Sequence, residues 1–287
     1  MAIVSIAMPA TAAAQSDGAK QAREVRRHAL IIVGLPGDEP HRAAFQKTVE
    51  AWTAYLTSRA GFTSDNITLL FGREGLDEAK PATQEHVRSV VEKLVARCET
   101  GDAVWVFLLG HGSQDATHSW LHLPGPDMHE ADWAGLFAGL KSDEQVFWLT
   151  QAASGGFVKA MSRPGRVVIA ATATTGEVNE TQFSTSLANV MQNPASDLDS
   201  NGDGQVSLVE LFRATTTSVA KHFEDNSLAP TEHAQLDDNG DGQGSEVEQL
   251  LPEESPNDDG AEATAGSNAA ATLDGAKAAR LTVERIE

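Results

Sequence analysis

The sequence of 287 residues contains little cysteine, little positive charge and no long apolar run. Its single cysteine, Cys98, excludes an intrachain disulfide and any metal cluster held by several thiolates. Only 21 Lys and Arg residues stand against 41 Asp and Glu residues, and the formal net charge is -20. Nucleic-acid binding needs a basic surface, and a membrane span needs ~20 apolar residues. The composition therefore predicts no nucleic-acid partner and no membrane span in the mature chain.

The N-terminal residues 1–14 resemble a secretory signal peptide. A short apolar run ends in Ala12, Ala13 and Ala14, which fits the small residues that precede a signal-peptidase cut before Gln15. No Lys or Arg precedes the run, so a disordered, Ala-rich N-terminus is the alternative interpretation. The first interpretation predicts an exported protein, either periplasmic or secreted.

Short β-branched runs alternate with helical patterns from residue 28 onwards. Between these runs, apolar residues recur at helical spacing, as in Phe45, Val49, Trp52 and Leu56. This alternation predicts an α/β fold with an open, mostly parallel sheet and helices on both faces. The five predicted strands cover residues 28–34, 66–71, 103–110, 145–150 and 166–172.

Changes of composition divide the rest of the chain. We expect the α/β domain over residues 28–192 and a loop-and-helix segment packed on it over 193–250. Residues 251–287 are rich in Pro, Glu, Asp, Gly and Ala, which bury too little apolar area to fold. The sequence therefore predicts a disordered acidic tail.

Two predicted strands end in motifs that carry chemistry. The third is followed by His111, Gly112 and Ser113, and the fourth by the stretch QAASGGF over residues 151–157. The carboxyl ends of parallel strands meet at one edge of a sheet, so these motifs are expected to lie close together. Together with RVVIAAT (166–172), they resemble the caspase and legumain cysteine peptidases over about residues 28–190.

In that family a His after the third strand polarises a Cys after the fourth, and nearby backbone N–H groups form the oxyanion hole. The resemblance matches His111 and Gly112, but Ala152 stands in the place of the cysteine. A methyl group offers neither a thiolate nor a nucleophile, so the resemblance implies a pseudoenzyme with vestigial site residues. LPGPD, RVVIAAT and TEHAQLDDNGDGQGS also resemble a bacterial set of caspase-fold proteins of undetermined role, in which the cysteine is commonly missing.

Other residues near the predicted site keep two interpretations each. Ser154 is either a helix N-cap or a nucleophile paired with His111. His111 is either a vestige of catalysis that still binds a carboxylate or peptide, or a hydrogen-bonded turn residue. Cys98 is predicted at the opposite end of the sheet, as a small buried hydrophobe.

The strongest motif is a twelve-residue loop of the EF-hand type that begins at Asp199. Calcium prefers six to eight oxygen ligands, which such a loop supplies from positions 1, 3, 5, 7, 9 and 12. Gly204 permits the turn at position 6, and Val206 at position 8 is expected to pair with a neighbouring loop. An acidic turn that only caps the following helix is the alternative. The predicted ligands are Asp199, Asn201, Asp203, the Gln205 carbonyl, Ser207 and Glu210.

A weaker second loop begins 38 residues later, at Asp237. Its position 8 is Gly244, and a short polar stretch replaces the exiting helix, so Glu248 is poorly fixed and Asp238 is an alternative ligand. A solvated acidic turn is the alternative to a metal site. The predicted ligands are Asp237, Asn239, Asp241, Gln243, Ser245 and Glu248.

Two hypotheses of function follow from these observations. The first is a calcium-binding, non-catalytic protein with a caspase-like fold, exported as a binding or scaffold protein, whose cleft holds a peptide or protein ligand. The second is a hydrolase or peptidase that uses Ser154 with His111. Calcium is the only cofactor that the sequence predicts.

Overall fold

A computed structural model describes residues 25–77, 79–173, 176–252 and 273–286. The signal-like segment at residues 1–14 lies outside the described residues. Within the described part of the chain, no helix combines the length and the apolarity needed to cross a bilayer.

A six-stranded sheet forms the centre of the protein. Neighbouring strands are parallel throughout, except for an antiparallel strand at one edge. The order across the sheet, from that edge, is β10 (Gln235–Asp237), β8 (Arg166–Ala170), β7 (Glu144–Leu149), β3 (Ala103–Leu109), β1 (Arg27–Val33) and β2 (Ile67–Phe71). Strand β3 is buried at every residue, as expected for a central strand covered on both faces.

Helices cover both faces of this sheet. One apolar cluster joins a face of the sheet to three helices, α1 (Glu39–Ser58), α5 (Phe183–Val190) and α6 (Leu208–Asp225). A second cluster joins the opposite face to α2 (Gln84–Arg97), α3 (Glu130–Leu136) and α4 (Gly155–Met161). Successive side chains of a strand point to opposite faces of the sheet, so the parallel strands contribute residues to both clusters. The predicted fold class is confirmed.

Two small sheets lie beyond the central one. The stretch HSWLHLPGPD (118–127) contributes to an antiparallel sheet of β4 (Gly112–Gln114), β5 (Ser119–Leu121) and β6 (Met128–His129). The other sheet pairs β9 (Gln205–Ser207) with β11 (Thr282–Arg285) in antiparallel register.

Strand β11 corrects the prediction of a disordered tail from residue 251. Residues 273–286 form a 3-10 turn over Ala278–Arg280 followed by β11, and Val283 is buried in the same apolar cluster as α6. Composition does not reveal this segment, because two buried apolar residues, Ala278 and Val283, are enough when they pack on a core that already exists.

Candidate functional site

The first predicted calcium loop wraps its backbone around its own carboxylates. Asp199 accepts hydrogen bonds from the N–H groups of Gly202 and Gly204, at 2.8 and 3.0 Å. The side-chain oxygen of Asn201 accepts from the Asp203 N–H at 2.9 Å, and Asp203 accepts from the N–H of position 7 at 2.8 Å. Gly202 and Gly204 have φ of 76° and 81°, a conformation that glycine adopts without strain. These bonds fix side chains of positions 1, 3 and 5 on the inside of one turn.

Glu210 closes this loop from the first turn of α6. Its side chain is 2% exposed, and one carboxylate oxygen accepts from the Ser200 N–H at 2.8 Å. The other oxygen accepts from the N–H and the hydroxyl of Ser207, at 2.7 and 2.9 Å, and the Ser207 hydroxyl in turn caps α6 through the Glu210 N–H. Glu210 is therefore both a member of the capping box of α6 and a predicted metal ligand. The side chains that the loop offers as ligands all present oxygen atoms, which hard cations prefer.

Val206 does not pair with the second loop, contrary to the prediction. Its partner is Glu284 of β11, and the Gly204 carbonyl also accepts from the Ile286 N–H at 3.0 Å. The strand β9 within the first loop is thus covered by the C-terminal segment, whose sequence carries too little apolar pattern to reveal it.

The second predicted loop repeats the hydrogen bonds of the first at positions 1 to 7. Asp237 accepts from the N–H groups of Gly240 and Gly242, at 2.9 and 3.1 Å. Asn239 and Asp241 accept from the N–H groups two residues further on, each at 2.8 Å. The two loops diverge only after position 7.

The remaining predicted residues of the second loop lie in different surroundings. Ser245 bridges back to Leu236, and Glu248 is exposed in a 3-10 turn over Val247–Gln249. Asp238, the predicted alternative ligand, accepts N–H groups from Lys277 and Ala278 of the C-terminal segment, at 2.8 and 2.7 Å. Burial raises the pKa of the Asp238 carboxyl above its ordinary value. Asp238 therefore holds the C-terminal segment, and its carboxylate is directed away from a ligand role in the loop.

The two motifs at the end of the sheet come together as the sequence predicts. A Cβ atom at Gly112 would lie 2.1 Å from the carbonyl oxygen of Ala152, so only glycine allows the ends of β3 and β7 to approach so closely. Ala152 and Ala153 are both buried, and Ala153 has a φ of 56°, which costs about 1 kcal/mol for a residue with a Cβ atom. Neither alanine supplies a nucleophile.

His111 is held by a carbonyl and by aromatic neighbours. A ring nitrogen lies 3.0 Å from the carbonyl oxygen of Pro36, and the ring contacts His41 edge-on at a centroid distance of 5.1 Å. The ring nitrogens of His41 lie 2.5 Å from Asp38 and 3.1 Å from Glu180. Hydrogen bonds to Asp38 and then to Glu180 raise the pKa of His41 above 6.5. No local pattern in the sequence indicates His41, because its place beside His111 depends on how α1 packs.

Ser154 stands at the N-cap position of α4, but its hydroxyl does not cap the helix. Its hydroxyl oxygen accepts from the N–H groups of Ala171 and Thr172, at 3.0 and 3.2 Å, and makes no capping bond to α4. The hydroxyl of Thr172 accepts from the Gly155 N–H instead. Ser154 is fully buried, and in the described part of the chain no hydrogen bond joins it to His111. Its observed role is to tie the start of α4 to the end of β8.

A buried amide side chain, that of Gln151, directly precedes Ala152 and Ala153 in the chain. The Gln151 side chain is fully buried, and neither its oxygen nor its nitrogen has a hydrogen-bond partner within the described residues. Buried polar groups are nearly always paired, so an unpaired one calls for an explanation. Cys98, in contrast, is buried at the end of α2 and precedes the amino end of β3, at the far end of the sheet from His111, as predicted.

Two further groups of side chains bring metal-ligating atoms within 4.8 Å of one another. In one of them, His118 contacts Glu130 at 2.8 Å, and His129 accepts the Ala131 N–H through a ring nitrogen. The other group, formed by His28, Cys98 and Asp102, lies buried at the amino end of the sheet. In the group of His118, His129 and Glu130, hydrogen bonds within the protein already occupy one ring nitrogen of each histidine. These bonds explain why the three side chains lie close together.

Comparison with known proteins gives similarity of structure alone. No family model and no curated protein matches the chain. The protein GSU0716 from Geobacter sulfurreducens has a TM-score of 0.48 and 14% identity, covering 74% of this chain and 92% of its own. The caspase drICE has a TM-score of 0.46 and 11% identity, covering 76% of this chain and 90% of its own. Both similarities concern the arrangement of helices and strands and assign no activity to this chain.

Proposed function

We propose that this protein is a calcium-binding, non-catalytic protein with a caspase-like α/β fold, exported to act as a binding or scaffold protein. The observation that carries the proposal is the position of Glu210. A carboxylate 2% exposed lies against the loop that begins at Asp199, and both of its oxygens are directed to the loop backbone. An acidic turn that served only to cap α6 would not need three further oxygen-bearing side chains at positions 1, 3 and 5.

Calcium in this loop would act on the fold. Helix α6 begins directly after the loop and buries Leu208, Leu211 and Phe212 against the sheet. A cation bound by Asp199, Asn201, Asp203 and Glu210 would fix the start of this helix to the loop that precedes it. Binding to the native state alone stabilises it, by about 2.7 kcal/mol when the ligand concentration is one hundred times Kd. Millimolar calcium outside the cell would keep such a site filled, which agrees with the proposed export.

The end of the sheet supports a binding role more than a catalytic one. Ala152 and Ala153 offer no nucleophile, and the Ser154 hydroxyl is buried between two backbone N–H groups. His111 and the buried amide of Gln151 leave polar groups near this edge. A peptide or protein ligand at this end of the sheet is the partner that we propose.

Calcium titration of the purified protein by calorimetry tests the first part of the proposal. We expect Glu210→Gln to lose the tighter binding event, because it removes a charged ligand. The matched control is Glu224→Gln, an exposed position on the same helix, which should bind as the wild type does. An unchanged titration in Glu210→Gln would contradict calcium binding at this loop.

Labelling with a serine-directed fluorophosphonate tests the second part. We expect no labelling of the wild-type protein, since the Ser154 hydroxyl is buried and bonded. Labelling that disappears in both Ser154→Ala and His111→Ala would replace this proposal with the hydrolase hypothesis.

A further inference from the structure

The C-terminal segment, residues 273–286, lies against both calcium loops. Its strand β11 pairs with β9, which holds positions 7 to 9 of the first loop. Its first buried residue, Asp274, is 3% exposed and contacts the second loop. The segment is therefore placed to contribute to both loops.

In the first loop, the carboxylate of Glu210 has a defined set of donors. It accepts from the N–H groups of Ser200 and Asn201, at 2.8 and 3.3 Å, and from the hydroxyl of Ser207 at 2.9 Å. These donors are positions 2, 3 and 9 of the loop. The Ser200 hydroxyl and the Ser207 N–H also donate, at 3.1 and 2.7 Å, so the loop holds the glutamate of position 12 through donors at three positions.

In the second loop, Asp274 accepts from the same three positions. The N–H groups of Asp238 and Asn239 donate to it at 3.0 and 3.3 Å, and the Ser245 hydroxyl donates at 2.7 Å. As in the first loop, the two N–H groups share one carboxylate oxygen and the hydroxyl takes the other. Asp274 therefore occupies the place in the second loop that Glu210 occupies in the first.

Glu248, which the spacing predicts as the position-12 ligand, lies elsewhere. The first loop runs directly into α6, whose first turn carries Glu210 inward. The second loop runs into the bridge at Ser245 and then a 3-10 turn, where Glu248 is exposed. Without an exiting helix, the chain after the loop has no element that would turn Glu248 towards Asp237.

The charges around Asp274 also favour a cation. Asp237 is 1% exposed and Asp274 is 3% exposed, and within the described residues neither forms an ion pair with Lys or Arg. Buried carboxylates without a counter-charge are costly, and their hydrogen bonds to neutral N–H groups offset only part of that cost. A divalent cation between them would supply the missing charge.

We propose that Asp274, and not Glu248, is the closing ligand of a divalent cation in the second loop, so that this site is completed from the C-terminal segment. The inference rests on the proposed function, because it takes the loops as calcium sites. Binding at the second loop then fastens the C-terminal segment, which in turn covers the first loop through β11.

Equilibrium dialysis with radioactive calcium on the full chain tests this inference, with Glu210→Gln, Asp274→Asn, Asp274→Glu and Glu248→Gln beside the wild type. We expect the wild type and Glu248→Gln to bind two ions each. Asp274→Asn should bind its second ion at least about tenfold more weakly, since loss of a group that only orients a ligand already costs about 10-fold to 100-fold. Asp274→Glu keeps the carboxylate and should retain more of the affinity than Asp274→Asn.

The outcomes distinguish failure of this inference from failure of the proposed function. Loss of the second ion in Glu248→Gln, with Asp274→Asn unchanged, would overturn the inference and leave the first loop intact. A wild type that binds no calcium would overturn the proposed function itself. Should Asp274→Asn fail to fold, retention of two ions by Glu248→Gln still supports the inference, and loss of one still overturns it.

Discussion

Glu232 carries a buried negative charge whose removal should stabilise the protein in a pH-dependent way. Its side chain is 6% exposed and accepts from the Gln182 N–H at 2.8 Å. Burial raises the pKa of this carboxyl from 4.5 to about 7, and the nearby Glu177 carboxylate adds to the shift, whereas His233 opposes it. In the unfolded chain the same carboxyl ionises near its ordinary pKa.

A raised folded pKa means that the protonated acid is favoured by folding. The contribution of Glu232 is therefore most favourable below pH 4.5, is lost as the pH rises towards 7, and is flat above. A difference between 4.5 and about 7 corresponds to about 3 kcal/mol in the free energy of unfolding. Glu232→Gln keeps the acceptor for the Gln182 N–H and never ionises.

Urea unfolding at constant calcium concentration measures this effect. Relative to the wild type, Glu232→Gln should gain up to about 3 kcal/mol between about pH 4.5 and about pH 8. The exposed control, Glu224→Gln, should show a difference that is small and independent of pH. A difference between Glu232→Gln and the wild type that does not change with pH would refute the assignment of a buried, protonatable carboxyl.

Two further predictions concern the core and the end of the sheet. Phe212→Ala should lower the free energy of unfolding by about 3–5 kcal/mol, since the ring is fully buried, whereas Val178→Ala, 48% exposed, should change it by less than about 0.5 kcal/mol in the same urea experiment. The pKa of His41, measured by NMR, should lie above 6.5, and Glu180→Gln should lower it. The contribution of His41 to stability is present below pH 6.5 and is lost as the pH rises through the folded-state pKa. An unchanged titration of His41 in Glu180→Gln would contradict the contact.

The sheet could be predicted because its strands are locally distinctive. The runs that became β1, β3 and β7 are apolar on both faces, and a strand covered on both faces needs that pattern. The close approach of Gly112 to Ala152 followed from the rule that parallel strands end at one edge. The turn over the first predicted calcium loop was equally local, with all of the predicted ligands within twelve residues.

The features that sequence missed depend on contacts between distant segments. Asp274 lies 37 residues beyond Asp237, in a stretch of Asp, Gly and Ala whose composition predicted disorder. From the sequence, the Ser154 hydroxyl could bond either to N–H groups at the start of α4 or to those after β8. The packing of β8 places the N–H groups of Ala171 and Thr172 beside it. His41 approaches His111 because the packing of α1 on the sheet brings the first turn of that helix beside the His111 ring.

The melting temperature of the protein in about 1 mM calcium and in excess chelator tests the central claim most directly, with Glu210→Gln as the comparison. The account predicts a rise of several degrees with calcium in the wild type that is largely lost in Glu210→Gln, because binding to the folded state alone must stabilise it. Equal melting temperatures in calcium and in chelator would contradict the claim that calcium is part of this fold.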